Sequence, residues 1–216
     1  MARNKHPEET VQRILDAAAR LFVEKGYDAT SLQDILCETH LSKGAIYHHF
    51  SSKEEIFEAI FRRIAEENSA ALTSVRDDGT LNGLEKLRAI FRSALLSSNQ
   101  SFMLTVTPHL LQHPRFLAMQ IAQLYEIVAP SFIQPILEQG MRDGSIPTAN
   151  PHELAEAIMI LSNVWLNPLV HMTDAAGIRN RCATFNRLLT GVGIPGLLDD
   201  EMVESYVHCC RPRQKD

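Results

Sequence analysis

The sequence has no uninterrupted apolar run of eighteen residues, so no membrane span is expected. Aromatic residues make up only 6% of its 216 positions, and β-branched runs are rare, although 45% of the chain is apolar, enough for a sizeable core. No strand–helix alternation, internal repeat or low-complexity stretch occurs, and the expected fold class is all-α. The sequence also lacks HExxH, GxSxG, a P-loop and a glycine-rich dinucleotide loop, and its charged residues are scattered; an enzyme is not expected. Four cysteines, Cys37, Cys182, Cys209 and Cys210, show no paired framework, so free thiols are expected. His208, Cys209 and Cys210 form a triplet, but no second ligand pair stands at zinc spacing, and neither a metal nor a cofactor is expected. The opening MARNKHPEE turns acidic at once and has no apolar signal region, which predicts a cytoplasmic location.

A basic excess is missing too: the formal net charge is −5. The distribution matters more than the total. Residues 1–63 carry nine Lys/Arg against ten Asp/Glu, and residues 64–216 carry twelve against sixteen. The longer portion should therefore repel nucleic acid. Between Glu38 and Glu54, however, no acid occurs, while His40, Lys43, His48, His49 and Lys53 do. Chance also produces such gaps, but a local positive face is what phosphates require. Arg3 and Lys5 could add a basic arm.

Apolar residues at Val11, Ile14, Leu15, Ala18, Leu21 and Phe22 follow the helical period and predict a helix over about 7–25. Pro7 suits its first position, and Gly26 a left-handed stop. A second helix is expected after Thr30, which with Gln33 has capping-box spacing, ending near Thr39. Ser42 should cap a short third helix over about 43–49. Ser52 and Glu55 should open a fourth, running to about Val75 with Ile56, Phe57, Ile60, Phe61 and Ile64 inward. The polar stretch Arg76–Gly83 marks a boundary. The expected organisation is a head over 1–52, a connecting helix over 53–75 and a larger helical domain over 76–216. Further helices are expected at about 83–98, 101–112, 114–142, 151–172, 175–191 and 199–210. The 114–142 helix contains Pro130 and Pro135 and must kink or split.

Residues 30–53 have the outline of a helix-turn-helix that enters the DNA major groove. Gly44 and Ala45 are small enough for close backbone approach, and Lys43 can reach a guanine edge or a phosphate. Tyr47, His48 and His49 supply phosphate donors, and Ile46 and Phe50, four apart, should pin the helix from behind. Ser42 and Lys53 flank the recognition helix; Lys53 adds charge to exposed N–H groups at the next helix start. Thr30 and Gln33 face the groove wall, and Gln33 could meet an adenine edge. Taken singly, Tyr47 reads equally as a core tyrosine, His48 and His49 as an idle exposed pair, and Lys53 as an ordinary surface lysine. Together, at this spacing, they favour DNA.

The runs GYDATSLQDI and LSKGAIYHHFSSKEEIF resemble the N-terminal domain of the tetracycline-repressor (TetR) family of transcriptional regulators. The matching residues are Phe22, Gly26, Tyr27, Thr30, Asp34, Ile35, Ser42, Gly44, Tyr47, Phe50, Lys53 and Phe57, within about residues 8–65. The chain departs from the family's usual Ala, Ala and Gly at Leu36, Thr39 and His40. His40 must then take a left-handed conformation that glycine takes at no steric cost.

The resemblance implies a homodimer on a near-palindromic double-stranded operator, its third helices entering major grooves about 34–36 Å apart or at another spacing set by the dimer. It also implies a dimer interface built mostly from the last two long helices, here about 151–172 and 175–191. Their apolar positions include Leu154, Ile158, Leu161, Trp165, Leu169, Ile178, Phe185 and Leu188, each of which also reads as internal core. A pocket for an unidentified small-molecule effector has as candidate lining Phe91, Leu95, Phe102, Met103, Val106, Leu110, Phe116, Met119, Leu124 and Met159, although a Met or Phe at helical spacing is more often plain core. His109 and His113, four apart, could hydrogen-bond a polar ligand; no third ligand is in view for a metal. The expected activity is repression released by effector. The competing reading is a DNA-bound scaffold or activator whose C-terminal domain binds a partner protein.

Overall fold

The computed structural model describes residues 7–96, 114–167 and 173–210, and helices are the regular structure among them. No helix among the described residues is long and apolar enough to cross a membrane. Helices α1 (Pro7–Lys25), α2 (Leu32–Thr39), α3 (Lys43–His49) and α4 (Lys53–Asp77) come first, followed by α5 (Gly83–Leu96) and α6 (Pro114–Gln123). A π-helical stretch, Leu124–Ile133, leads into α7 (Gln134–Asp143). Then come α8 (Pro151–Ile160), a second π-helical stretch (Leu161–Trp165), α9 (Ala175–Gly191) and α10 (Asp200–Cys209). The expected helix at 101–112 lies outside the described residues, as do Arg3 and Lys5.

The chain divides into two compact units at a boundary inside α4, between Asn68 and Ser69. In the first unit, α1 contributes Ile14, Leu15, Ala18, Leu21 and Phe22 to the core, the periodic set that predicts the helix. Ile35, Ile46, Ile56, Phe57 and Ile60 close over them. Phe22, Tyr27 and Phe57 form an aromatic cluster, with centroids 4.7–5.8 Å apart in tilted or edge-on pairs.

The second unit buries Leu87, Phe91, Ile133, Ile136, Ile158, Ile178, Phe185 and Met202 in one cluster. The expected 114–142 helix does not break into two pieces; its middle widens. The stretch Leu124–Ile133 contains Pro130, and the Gln134 N–H reaches back five residues to the Ala129 carbonyl. Proline removes an N–H and crowds the preceding turn, and a wider turn accommodates both. The expected 151–172 helix likewise keeps its α-helical form only to Ile160. Beyond it the Ser162 hydroxyl donates to Ile158 O (2.7 Å) and the Asn163 amide to Met159 O (3.0 Å), and the Leu166 N–H reaches Leu161 O (2.8 Å). Polar side chains there compete with the backbone for the same carbonyls.

Candidate nucleic-acid interface

The short helices of the first unit are set by local hydrogen bonds. Ser31, one residue beyond the expected cap, starts α2. The Asp34 N–H donates to its hydroxyl oxygen (3.1 Å), and its own N–H donates to Asp34 Oδ2 (2.8 Å). The S-x-x-D pattern at Ser31 and Asp34 meets the same spacing rule as the expected Thr30–Gln33 pair, and tertiary context decides between them. Thr30 is 1% exposed, and its hydroxyl donates to Gly26 O (2.8 Å) and Leu21 O (3.2 Å). It closes the turn after α1 and has no face left for DNA, which corrects its expected role.

Asp34 also pairs with Lys25 (2.9 Å). The Ser31 hydroxyl, then Lys25 and the Ser31 N–H, hold the Asp34 carboxyl well below the usual carboxylate range.

The turn into α3 passes through His40 at φ 52°, ψ 27°, the left-handed conformation expected there. Ser42 caps α3 as expected, accepting from the Ala45 N–H at 3.2 Å. Ile46 is buried on the inner side of α3, as is Phe50 just beyond its end. Ser42, Lys43, Gly44, Tyr47 and His48 are exposed, and Ala45 and His49 half-buried. A Cβ added at Gly44 would meet nothing within 4 Å, so no packing within the chain requires a glycine at this position. Tyr47 is 45% exposed, with the Lys43 ammonium 5.5 Å from its ring centroid. The rings of His48 and His49 stand edge-on, 5.0 Å apart. Gln33 is exposed on α2, its amide 3.8 Å from the Cys37 sulfur. The expected Ser52–Glu55 box forms in part. Ser52 accepts from the Glu55 N–H (3.2 Å), but the Glu55 carboxylate takes the N–H of Ser51 (2.6 Å).

Lys53 is more engaged than its sequence suggests. Its ammonium donates to Tyr27 O (2.8 Å) and lies 4.2 Å from the Tyr27 ring centroid. The Tyr27 hydroxyl in turn donates to Glu54 Oε1 at 3.2 Å. Burial first, and then the Glu54 charge, raises the Tyr27 phenol well above its ordinary value. Glu54 is held low by its own backbone N–H and by Tyr27. Lys53 thus ties the start of α4 to the turn after α1 with one of its three donors.

In the second unit the expected ligand set does not converge on a described cavity. Phe91 is core, Leu95 and Met159 pack on that core, Leu124 is buried, and Met119 is 51% exposed. Phe102, Met103, Val106, His109, Leu110 and His113 lie outside the described residues, as does the side chain of Phe116. A surface cavity of about 270 Å³ is lined instead by Arg179, Ala183, Asn186, Leu198, Asp200, Val203 and Glu204. Of the expected interface set, Ile158, Ile178 and Phe185 are fully enclosed by their own chain, which corrects their assignment: they are core. Leu154, Leu161 and Trp165 are half-buried, Leu188 is 51% exposed, and Leu169 lies outside the described residues. Periodicity alone cannot separate a stripe that faces the chain's own core from one that faces a second copy. Among the described residues no cluster of three or more His, Cys, Asp or Glu could hold a metal.

Residues 14–60 match the family model described as bacterial regulatory proteins, tetR family. Those residues form a tetR-family regulatory domain. Similar proteins include the Transposon Tn10 TetC protein of Escherichia coli, 34% identical over 99 residues, covering 44% of this chain and 49% of that one. The chain spans half or less of the length of this and the next such relative. A longer match, 28% identical, covers 74% of this chain and 80% of the HTH-type transcriptional repressor AcnR of Corynebacterium glutamicum. In fold, the chain superposes on Salmonella enterica GusR with a TM-score of 0.65 at 23% identity, covering 89% of this chain and 99% of that one. A family of regulators agrees with the expectation that the chain is not an enzyme.

Proposed function

We propose that the chain is a sequence-specific DNA-binding transcriptional regulator, acting as a homodimer on a near-palindromic operator and repressing until a small-molecule effector releases it. The exposed side of α3 carries the reading. On a helix pinned from behind by Ile46 and Phe50, the small Gly44 and Ala45 lie between Lys43 and a 45%-exposed Tyr47. Small residues let the helix backbone approach base edges, while the cation and the phenol reach edges and phosphates. The names of relatives such as AcnR favour repression. Release follows from linkage: an effector that prefers a dimer with wrongly spaced heads weakens DNA binding by the factor by which DNA weakens effector binding.

The test is selection of bound duplexes from random DNA at a fixed salt concentration, since affinity varies steeply with salt. A recovered palindrome gives half-site spacing and base preference together. Tyr47→Phe should weaken binding to all sequences alike, whereas changes at Gln33, Lys43 or Ala45 should shift which bases are preferred. A dimer that binds no duplex at low salt would refute the reading.

A further inference from the structure

The last four carbonyls of any helix lack intrahelical donors, and a cation near them is favourable. Helix α2 has no basic residue in its last turn. It nevertheless ends where backbone satisfaction matters most. The next residue, His40, is the only non-glycine residue at positive φ among the described residues, and α3 begins three residues later. The direction of α3 is therefore set across Thr39, His40 and Leu41. Thr39 is anchored inward: it is buried, and its hydroxyl donates to Ile35 O (2.8 Å) and Leu36 O (3.3 Å). Its carbonyl accepts from Nη2 of Arg13, on α1, at 2.7 Å.

From this arrangement we infer that Arg13 is a positioning residue for the recognition helix. It supplies from α1 the cation that α2 lacks, and holds the carbonyl just before the left-handed turn that aims α3. The inference rests on the DNA-binding reading above and deepens it. A hydrogen bond from a charged donor to a backbone oxygen is directional, so it fixes an orientation as well as adding attraction. Two other α1 cations also reach α2, but differently. Arg20 pairs with Glu38 (2.6 Å) and Lys25 with Asp34 (2.9 Å), both through side chains. Pairs between exposed side chains contribute little and do not constrain the backbone. Arg20 lies seven residues, about two turns, beyond Arg13 on the same helix and makes a matched control.

The experiment compares wild type, Arg13→Met, Arg13→Lys and Arg20→Met. Each is measured for affinity to the selected duplex and to a shuffled duplex of equal length and composition, by fluorescence anisotropy at one salt concentration. Melting midpoints are recorded in parallel. Loss of one charged hydrogen bond should lower the selected-to-shuffled ratio of Arg13→Met about tenfold, with shuffled affinity nearly unchanged. Arg13→Lys, which keeps the charge and most of the reach, should recover most of that ratio, and Arg20→Met should leave it alone. Arg13→Lys and Arg20→Met also keep the test decisive if Arg13→Met does not fold: a lysine variant with base preferences scrambled as at random overturns the assignment. Equal loss on both duplexes would make Arg13 a phosphate contact and overturn it. A lowered melting midpoint with an unchanged ratio would make it merely structural and overturn it too. A wild-type protein with no preferred sequence defeats the DNA-binding reading itself, whereas a wild type with a clear preference that Arg13→Met retains defeats only this inference.

Discussion

Residues 7–68 and the described residues from Ser69 onward both cap helices locally, and differ in how deeply their long-range donors lie. In the first unit Ser31 with Asp34, Ser42 with Ala45 and Ser52 with Glu55 each act within one helical turn, and the long-range donors Arg13 and Lys53 are exposed and half-buried. Its core is an aromatic cluster flanked by isoleucines. In the second unit local caps such as Asp174 with Gly177 and Asp199 with Met202 stand beside a donor that reaches across the sequence and into the interior. Lys86, only 4% exposed, donates to Arg76 O (2.6 Å) and Gln139 Oε1 (2.7 Å). The Ser131 carbonyl would meet residue 135 in an α-helical register, but that residue is proline; Arg76 Nη1 donates to it instead at 3.0 Å. Helices α5 and α7 cross so closely that a Cβ on Gly83 would lie 2.4 Å from the Gly140 Cα. A buried donor leaves its acceptors unsatisfied when it is removed, whereas an exposed one leaves them to water. Hydrogen exchange, which resolves stability along the chain, can test that contrast.

The largest effect should come from Phe57→Ala in the first unit. Phe57 is 2% exposed and touches Phe22, Tyr27 and Phe61. Its removal should cost roughly 3–5 kcal/mol, read as lost amide protection in α1–α3. Equal loss of protection in α7 and α9 would show that the two units unfold as one and would erase the contrast. Gly83→Ala should destabilise the second unit by up to about 3 kcal/mol, because the obstacle is backbone and not a movable side chain. A near-neutral urea midpoint would mean that the crossing relaxes freely. Lys86→Met keeps most of the aliphatic stem but leaves two half-buried acceptors without their donor, which should cost about 1–3 kcal/mol, confined to the end of α4, α5 and α7.

His40→Gly pits two effects against each other. It relieves left-handed strain of roughly 1–2 kcal/mol and adds roughly 0.5–1 kcal/mol of unfolded-state entropy. The first unit should gain stability by less than about 1 kcal/mol, seen as a small rise in melting midpoint; a fall would mean that the His40 side chain contributes more than its backbone costs. The smallest effect is the acid response of α2. The Asp34 pKa is lower in the folded chain than its ordinary 3.8, so its contribution is present above that value and lost as pH falls through the folded value. Asp34→Asn should flatten the acid limb of a melting-versus-pH curve below about pH 4 for the first unit alone.

Where helices are short and capped, their sequence was nearly enough. The α3 boundaries, the Ser42 cap and the inward Ile46 and Phe50 all follow from patterns spanning fewer than ten residues, whereas the left-handed His40 followed from the family resemblance. The α2 cap slipped by one position because Thr30–Gln33 and Ser31–Asp34 satisfy the same spacing rule, and only the carbonyls of Leu21 and Gly26 draw Thr30 inward. The role of Arg13 left no local trace, because its partner is a backbone oxygen twenty-six residues away.

The amino-acid order alone determined that this chain is helical, that its first sixty or so residues carry a helix-turn-helix, and where the exposed, acid-free side of the third helix lies. Those properties depend on period, capping and charge, which act between neighbours along the chain. Only the tertiary structure decided which apolar stripes close on their own core, where Ile158, Ile178 and Phe185 went, and that Lys53 and Arg13 brace the head from within. Burial and long-range hydrogen bonds depend on which surfaces meet in space, and a one-dimensional pattern of apolar and polar residues does not specify that meeting.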